Sequence, residues 1–240
     1  MRMDRINKKI LLAGFVVIFL FCIFLASGHQ PRIVYMENIS YYPQIILNPE
    51  VSQAFYAELK GQPEYYITYL NQSFNLYANI LEPVIKNKNP KKDFIVRIMI
   101  INSSIKNFST VAILNGTDFT WTKFYEEFAG DDYWRGPEFK KTAEPIEYIF
   151  EVSNKDNRGK YVFVIGKEEA FPLNEAINTL LNMPKLKIYF DKSILLSFYN
   201  RIGTFLLIAL IFLVLIIFAI LFLIKKILRL VKNKKPKKQE

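Results

Sequence analysis

Two apolar blocks, Ile10–Leu25 and Ile202–Ile224, bracket this chain of 240 residues and confine its net charge to the two ends. Met1–Lys9 carries four basic residues against Asp4, and Lys225–Glu240 carries eight against Glu240. The stretch between the blocks holds twenty residues of each sign, so the formal charge of +10 divides into three, zero and seven units. Lys and Arg flanking an apolar span resist translocation, which predicts cytoplasmic ends and an extracytoplasmic middle. Charge gathered this way reports topology, and it argues against a nucleic-acid partner, which needs a basic face on the folded part.

At ~1.5 Å per residue the second block is roughly 35 Å long, enough to cross a ~30 Å hydrocarbon core. Between Thr204 and Ile224 it holds no charge, glycine or proline, so it reads as an anchor, with no conduction path or transport kink. The first block follows a basic start and precedes Ala26-Ser27-Gly28. Residues 1–28 therefore read either as a signal peptide cleaved after Gly28 or as an N-terminal membrane anchor. Cys22, the one cysteine, lies inside that block, so an exported domain has no internal disulfide and depends on a packed core. Phe21 before it is too large for a lipobox.

Residues 29–171 read as an extracytoplasmic antiparallel β-sandwich. Phe74, Leu76, Ala78 and Ile80 alternate on one strand face, as do Ile146, Tyr148, Phe150 and Val152 on another. Asp93–Ile101 and Tyr161–Ile165 are β-rich runs without clean alternation, which predicts strands covered on both sides or central in a sheet. Strands are also expected over Ser52–Leu59 and Glu64–Leu70. Asn115-Gly116 predicts a two-residue hairpin turn, and Asn154–Gly159 a second. Pro172 opens a helix that Pro184 is expected to interrupt, and residues 172–201 read as a juxtamembrane helical segment at the lipid interface, or as a packed core helix. Residues 202–224 are the transmembrane helix and 225–240 a basic cytoplasmic tail that attracts anionic lipid.

The densest polar and aromatic cluster is Trp121–Phe139, which holds both tryptophans. Aromatic rings beside carboxylates can bind a glycan or peptide, and Trp121, Tyr125, Tyr133, Trp134, Glu126, Glu127, Asp131 and Asp132 form the candidate ligand-binding set. Trp121 is expected in a strand and buried, Trp134 in a loop and more exposed. Oxygens of Asp131, Asp132 and Glu138 offer an alternative calcium site, and a structured loop closing one end of the sandwich is the plainer reading. His29 is the one histidine; at a mature N-terminus its imidazole and the α-amine would make a copper chelate, so it is the candidate metal ligand. With no second histidine, no cysteine nucleophile and no G-x-S-x-G, the usual hydrolytic constellations are missing, and neither enzyme activity nor a cofactor is expected. Asn38, Asn71, Asn102, Asn107 and Asn115 each begin an Asn-x-Ser/Thr sequon.

The runs NPEVSQAFYAELKGQPEYY, FNLYANILEP, FTWTKFYEEFAGDDYWRGPEF, NKDNRGKYVFVIGKEEAFP and MPKLK resemble an uncharacterised family of membrane-anchored prokaryotic envelope proteins, over roughly His29–Phe198. The resemblance implies an envelope location and carries no activity. More distantly, GQPEYY and FNLYANI are similar to strands of pre-peptidase C-terminal and Golgi-dynamics β-sandwiches; the lumenal disulfide and diaromatic tail of the Golgi relatives are missing here. The expectation is a non-enzymatic module that contacts membrane lipid and binds an envelope protein, peptide or glycan. The alternative is a metal- or solute-binding envelope protein using His29 or the acidic loop.

Overall fold

A strand that packs on one side alternates apolar and polar residues, and one that packs on both sides does not; that difference organises this fold. A computed structural model describes residues 14, 29–34, 42–102, 107–126, 130–170, 172–199 and 201–233. Apart from Gly14, the expected signal or anchor over 1–28, with Cys22, lies outside the described residues, as do Asn38, Glu127 and 234–240 of the tail.

The fold is mainly β, with eleven strands among the described residues in two facing sheets. Sheet A runs β1 (Gln30–Ile33), β3 (Gln53–Lys60), β11 (Arg158–Ile165), β5 (Phe74–Pro83), β9 (Asp131–Ala143), β8 (Thr122–Glu126). Sheet B runs β2 (Gln44–Ile45), β4 (Glu64–Thr68), β10 (Tyr148–Ser153), β6 (Ile95–Asn102), β7 (Asn107–Asn115). Pairing is antiparallel except at one edge of each sheet, where β1 lies parallel to β3 and β2 parallel to β4.

The period-two residues meet where predicted. Phe74, Leu76, Ala78 and Ile80 of β5 and Tyr148, Phe150 and Val152 of β10 are all buried between the sheets. Rings of Phe55, Tyr66, Phe150 and Phe163 fill the centre, with neighbouring centroids 4.9 to 6.4 Å apart. β11 is central in sheet A and buried on both faces: Tyr161, Phe163 and Ile165 enter the sandwich, while Val162 and Val164 lie beneath helix α1 (Leu173–Tyr189). Met183 and Leu186 of α1, with Phe190 at its end, pack there against Ala54, Tyr56, Leu81 and Tyr133.

The two expected hairpins are instead crossings between the sheets, as is the Lys60–Pro63 link. β7 belongs to sheet B and β8 to sheet A; β10 belongs to sheet B and β11 to sheet A. Gly116 is required by close approach, since a Cβ there would meet the carbonyl oxygen of Phe94 at 2.4 Å. The chain is drawn across because the Trp121 ring enters the core and its Nε1 donates to the Gly116 carbonyl at 2.8 Å. The hairpins formed within one sheet are β6–β7 and β8–β9.

Pro184 does not interrupt α1 but sits within it. Met183 and Leu186 on either side of it are buried against sheet A, and that packing offsets the backbone hydrogen bond a proline removes. A 3₁₀ turn (Ile194–Phe198) leads into helix α2 (Arg201–Asn233), which carries the first basic residues of the tail on the same helix as the apolar block. Among the described residues one helical stretch, Leu210–Arg229, is long and apolar enough to cross a membrane, and none of it is buried in the protein.

Candidate functional site

The residues of Trp121–Phe139 are distributed over two faces of sheet A. Trp121 is buried in the core, as expected, but it immediately precedes β8 and does not lie in a strand. Trp134 is on strand β9, not in a loop, and is partly buried: Lys92 Nζ sits 3.4 Å from its ring centroid and Lys123 Nζ 5.6 Å from it. Tyr125 and Asp132 are register partners, both exposed, while Glu126 pairs in register with Asp131. Asp131 and Tyr133 are buried on the α1 side of the sheet.

Asp131 works as a latch for α1. Its Oδ2 lies 2.7 Å from Lys187 Nζ and its Oδ1 2.9 Å from Lys192 Nζ. Lys187 is fully buried, and that burial holds its pKa below the usual lysine range. At the other end of the helix Glu175 receives Arg32 of β1 at 2.8 Å, so α1 is pinned to both sides of sheet A. The twelve residues from Glu175 to Lys187 rise ~18 Å, close to the four strand spacings from β1 to β9.

Calcium chelation does not emerge from this geometry. Asp131 is committed to two lysines, and Glu138 accepts the Tyr77 hydroxyl at 2.8 Å. Asp131 and Glu138 stand seven residues apart along β9, roughly 23 Å. Among the described residues no three metal-ligating side chains come together. The Nδ1 of His29 is hydrogen-bonded to the Ser52 hydroxyl, and burial lowers its pKa.

A second buried carboxyl lies inside the sandwich. Glu64 Oε2 accepts the Tyr161 hydroxyl at 2.9 Å, and the hydroxyls of Tyr161 and Tyr66 are 2.9 Å apart. Burial raises the Glu64 pKa to about 7, against the hydrogen bonds that favour its charged form. This cluster belongs to the core.

Among the described residues, no other element covers the outer face of sheet B. One cross-strand row runs Ile45, Ile67, Ile149, Met99 and Thr110, one residue from each of the five strands. The next row is Tyr65, Glu151, Arg97, Ile113, and beyond Met99 lies the pair Ile101 and Phe108. Ile45 is 71% exposed, Phe108 58% and Ile113 57%. Among the described residues of the sandwich, Ile45, Tyr65, Ile101, Phe108 and Ile113 are the exposed large hydrophobics on strands of this sheet; Tyr42, Leu47, Tyr69 and Phe119 lie in connections and Tyr125 on β8. Arg97 and Glu151 form a loose pair at 3.9 Å in the middle, with the Tyr65 hydroxyl donating to Glu151 at 3.2 Å. The non-alternating run over Asp93–Ile101 is a trace of this face in the sequence: β6 lies inside sheet B between β10 and β7, one of the two arrangements expected for it, and a second cover is not found among the described residues.

No protein-family model matches the chain and no curated protein matches its sequence, so the resemblance to an envelope family gains no support there. Among solved structures, the pre-peptidase C-terminal domain of a Bacillus anthracis collagenase is similar at 14% identity and a TM-score of 0.34, over 54% of this chain and 98% of that one. The Yersinia pseudotuberculosis-derived mitogen is similar at 10% identity and a TM-score of 0.33, over 52% of this chain and 92% of that one. Both are too distant to bear on function.

Proposed function

We propose that this protein is a non-enzymatic binding module of the cell envelope, held at the extracytoplasmic side of the cytoplasmic membrane by α2, whose partner seats on the outer face of sheet B. The observation that carries the reading is the set of exposed apolar side chains on the outer face of sheet B, Ile45, Ile101, Phe108 and Ile113, which no described element covers while the outer face of sheet A is covered by α1. A sandwich face turned to water is ordinarily polar, and exposed apolar side chains gathered on one such face mark an interaction site. Aliphatic side chains around one Arg–Glu pair suit a protein or peptide better than a glycan, which needs stacking rings and convergent hydrogen-bonding groups. The sidedness rests on the division of charge between the ends, and protease added to spheroplasts should digest the sandwich while sparing the tail.

The binding face is tested by placing a photo-crosslinking amino acid at Phe108, at Ile113 and, as a control on sheet A, at Lys141 in cells. Discrete adducts from Phe108 and Ile113 and none from Lys141 are expected. The absence of adducts from both sheet B positions would overturn the reading.

A further inference from the structure

α1 has two apolar faces, and the fold accounts for one. Met183 and Leu186, with Phe190, close over sheet A. Ile177, Leu181, Pro184 and Ile188 follow one another at spacings of four, three and four residues, which places them within a ~60° arc on the opposite side. Ile177, Leu181 and Ile188 are 51%, 65% and 58% exposed, and exposed Asn178 and Lys185 border them along one edge.

The stripe continues directly towards α2. The 3₁₀ turn exposes Ile194, Leu195 and Phe198, Leu195 at 77%, and Tyr199 follows before α2 starts at Arg201. Eleven residues, five of them in the 3₁₀ turn, join the end of α1 to the start of α2. That short connection keeps α1 next to any membrane that α2 crosses. An apolar helix face bordered by polar side chains, beside a span and ending on an interfacial tyrosine, fits the headgroup region of a bilayer.

We infer that α1 lies flat on the lipid surface with Ile177, Leu181, Pro184 and Ile188 in the bilayer, and that the outer face of sheet B consequently looks away from the membrane. The inference rests on the anchoring of α2. It goes further in making α1 a layer between sheet A and lipid, fixed to the sandwich by the Asp131–Lys187 and Glu175–Arg32 pairs. The binding face is thereby presented to soluble or wall-side partners and withheld from membrane neighbours.

The test uses the full chain with Cys22→Ser, reconstituted in vesicles of phosphatidylethanolamine and phosphatidylglycerol. Leu181→Cys, Ile188→Cys, Leu213→Cys and Ile113→Cys each carry the environment-sensitive dye NBD. All four replaced side chains are exposed in the protein, so labelling spares the fold. Nitroxide lipids spin-labelled near the headgroup should quench the Leu181→Cys and Ile188→Cys labels, lipids labelled deep in the chain should quench the Leu213→Cys label, and neither should quench the Ile113→Cys label. A quenched Leu213→Cys label with unquenched helix labels would overturn the inference and leave the anchoring intact. Blue-shifted but unquenched helix labels would assign the stripe to a second copy and overturn it. An unquenched Leu213→Cys label would remove the anchoring on which it rests, and a quenched Ile113→Cys label would refute the orientation.

Discussion

Replacing Glu64 with glutamine should flatten the pH dependence of this protein's stability. Glu64 faces the interior beside Tyr66 and Tyr161, and burial raises its pKa from 4.5 to about 7. In the unfolded chain the proton leaves near pH 4.5; in the fold it stays until about pH 7. Between those values the unfolded state binds fewer protons, so stability is full below about pH 4.5, declines as pH rises, and levels off above about 7. A gap of about 2.5 pH units at ~1.36 kcal/mol each amounts to roughly 3 kcal/mol. For a domain of this size that is a change in Tm of roughly 6–12 °C. His29 acts in the opposite sense, because burial depresses its pKa and its contribution is lost as pH falls through the depressed value. Comparing the variant with wild type isolates Glu64. Glutamine keeps the shape and an acceptor for Tyr161 but carries no titrating proton. The assay is thermal unfolding of the full chain in detergent micelles at pH about 4.5, 6 and 8, followed by the fluorescence of buried Trp121. The Glu64→Gln protein should match wild type at the lowest pH and melt progressively above it as pH rises. Parallel curves across that range would refute the assignment of the buried charge to Glu64.

Two further outcomes follow from the packing. Asp131→Ala removes the carboxylate facing buried Lys187 and should cost about 3–5 kcal/mol, with amide exchange rising first in α1; Asp131→Leu together with Lys187→Met should recover most of the loss. Trp121→Ala should cost about 3–5 kcal/mol in denaturant unfolding, whereas Trp134→Ala, which loses a partly buried ring and its contact with Lys92, should cost about 1–2 kcal/mol. Equal losses for the two tryptophans would contradict the burial described.

The legible parts of the fold were those governed by local alternation and length. The inward faces of β5 and β10 could be named from Phe74–Ile80 and Tyr148–Val152, and the burial of Trp121 from its place after a turn. The turns were misread because Asn115-Gly116 satisfies a two-residue hairpin and also a crossing, and local sequence does not say which sheet the next strand will join. The acidic and aromatic segment Trp121–Phe139 looked like one site because its residues are adjacent in the chain. In a strand, neighbours point to opposite faces, and so Asp131 and Tyr133 went under α1 while Asp132 and Trp134 went to the other side.

Charge partition, the apolar span, the missing disulfide and the core faces of the alternating strands were determined by the sequence alone, since each depends on composition or on a backbone period that any strand or helix must obey. What covers an apolar outward face was decided only in the tertiary structure. β11 and β6 both read as runs without clean alternation, yet Val162 and Val164 lie beneath α1 while Ile101 of β6 is left facing water. The difference is long-range. After β11 the chain leads into a helix that folds back across sheet A and is held there by Asp131 and Arg32; among the described residues, no element does the same for sheet B. A periodicity records which way a side chain points, and only the path of the rest of the chain determines what it meets.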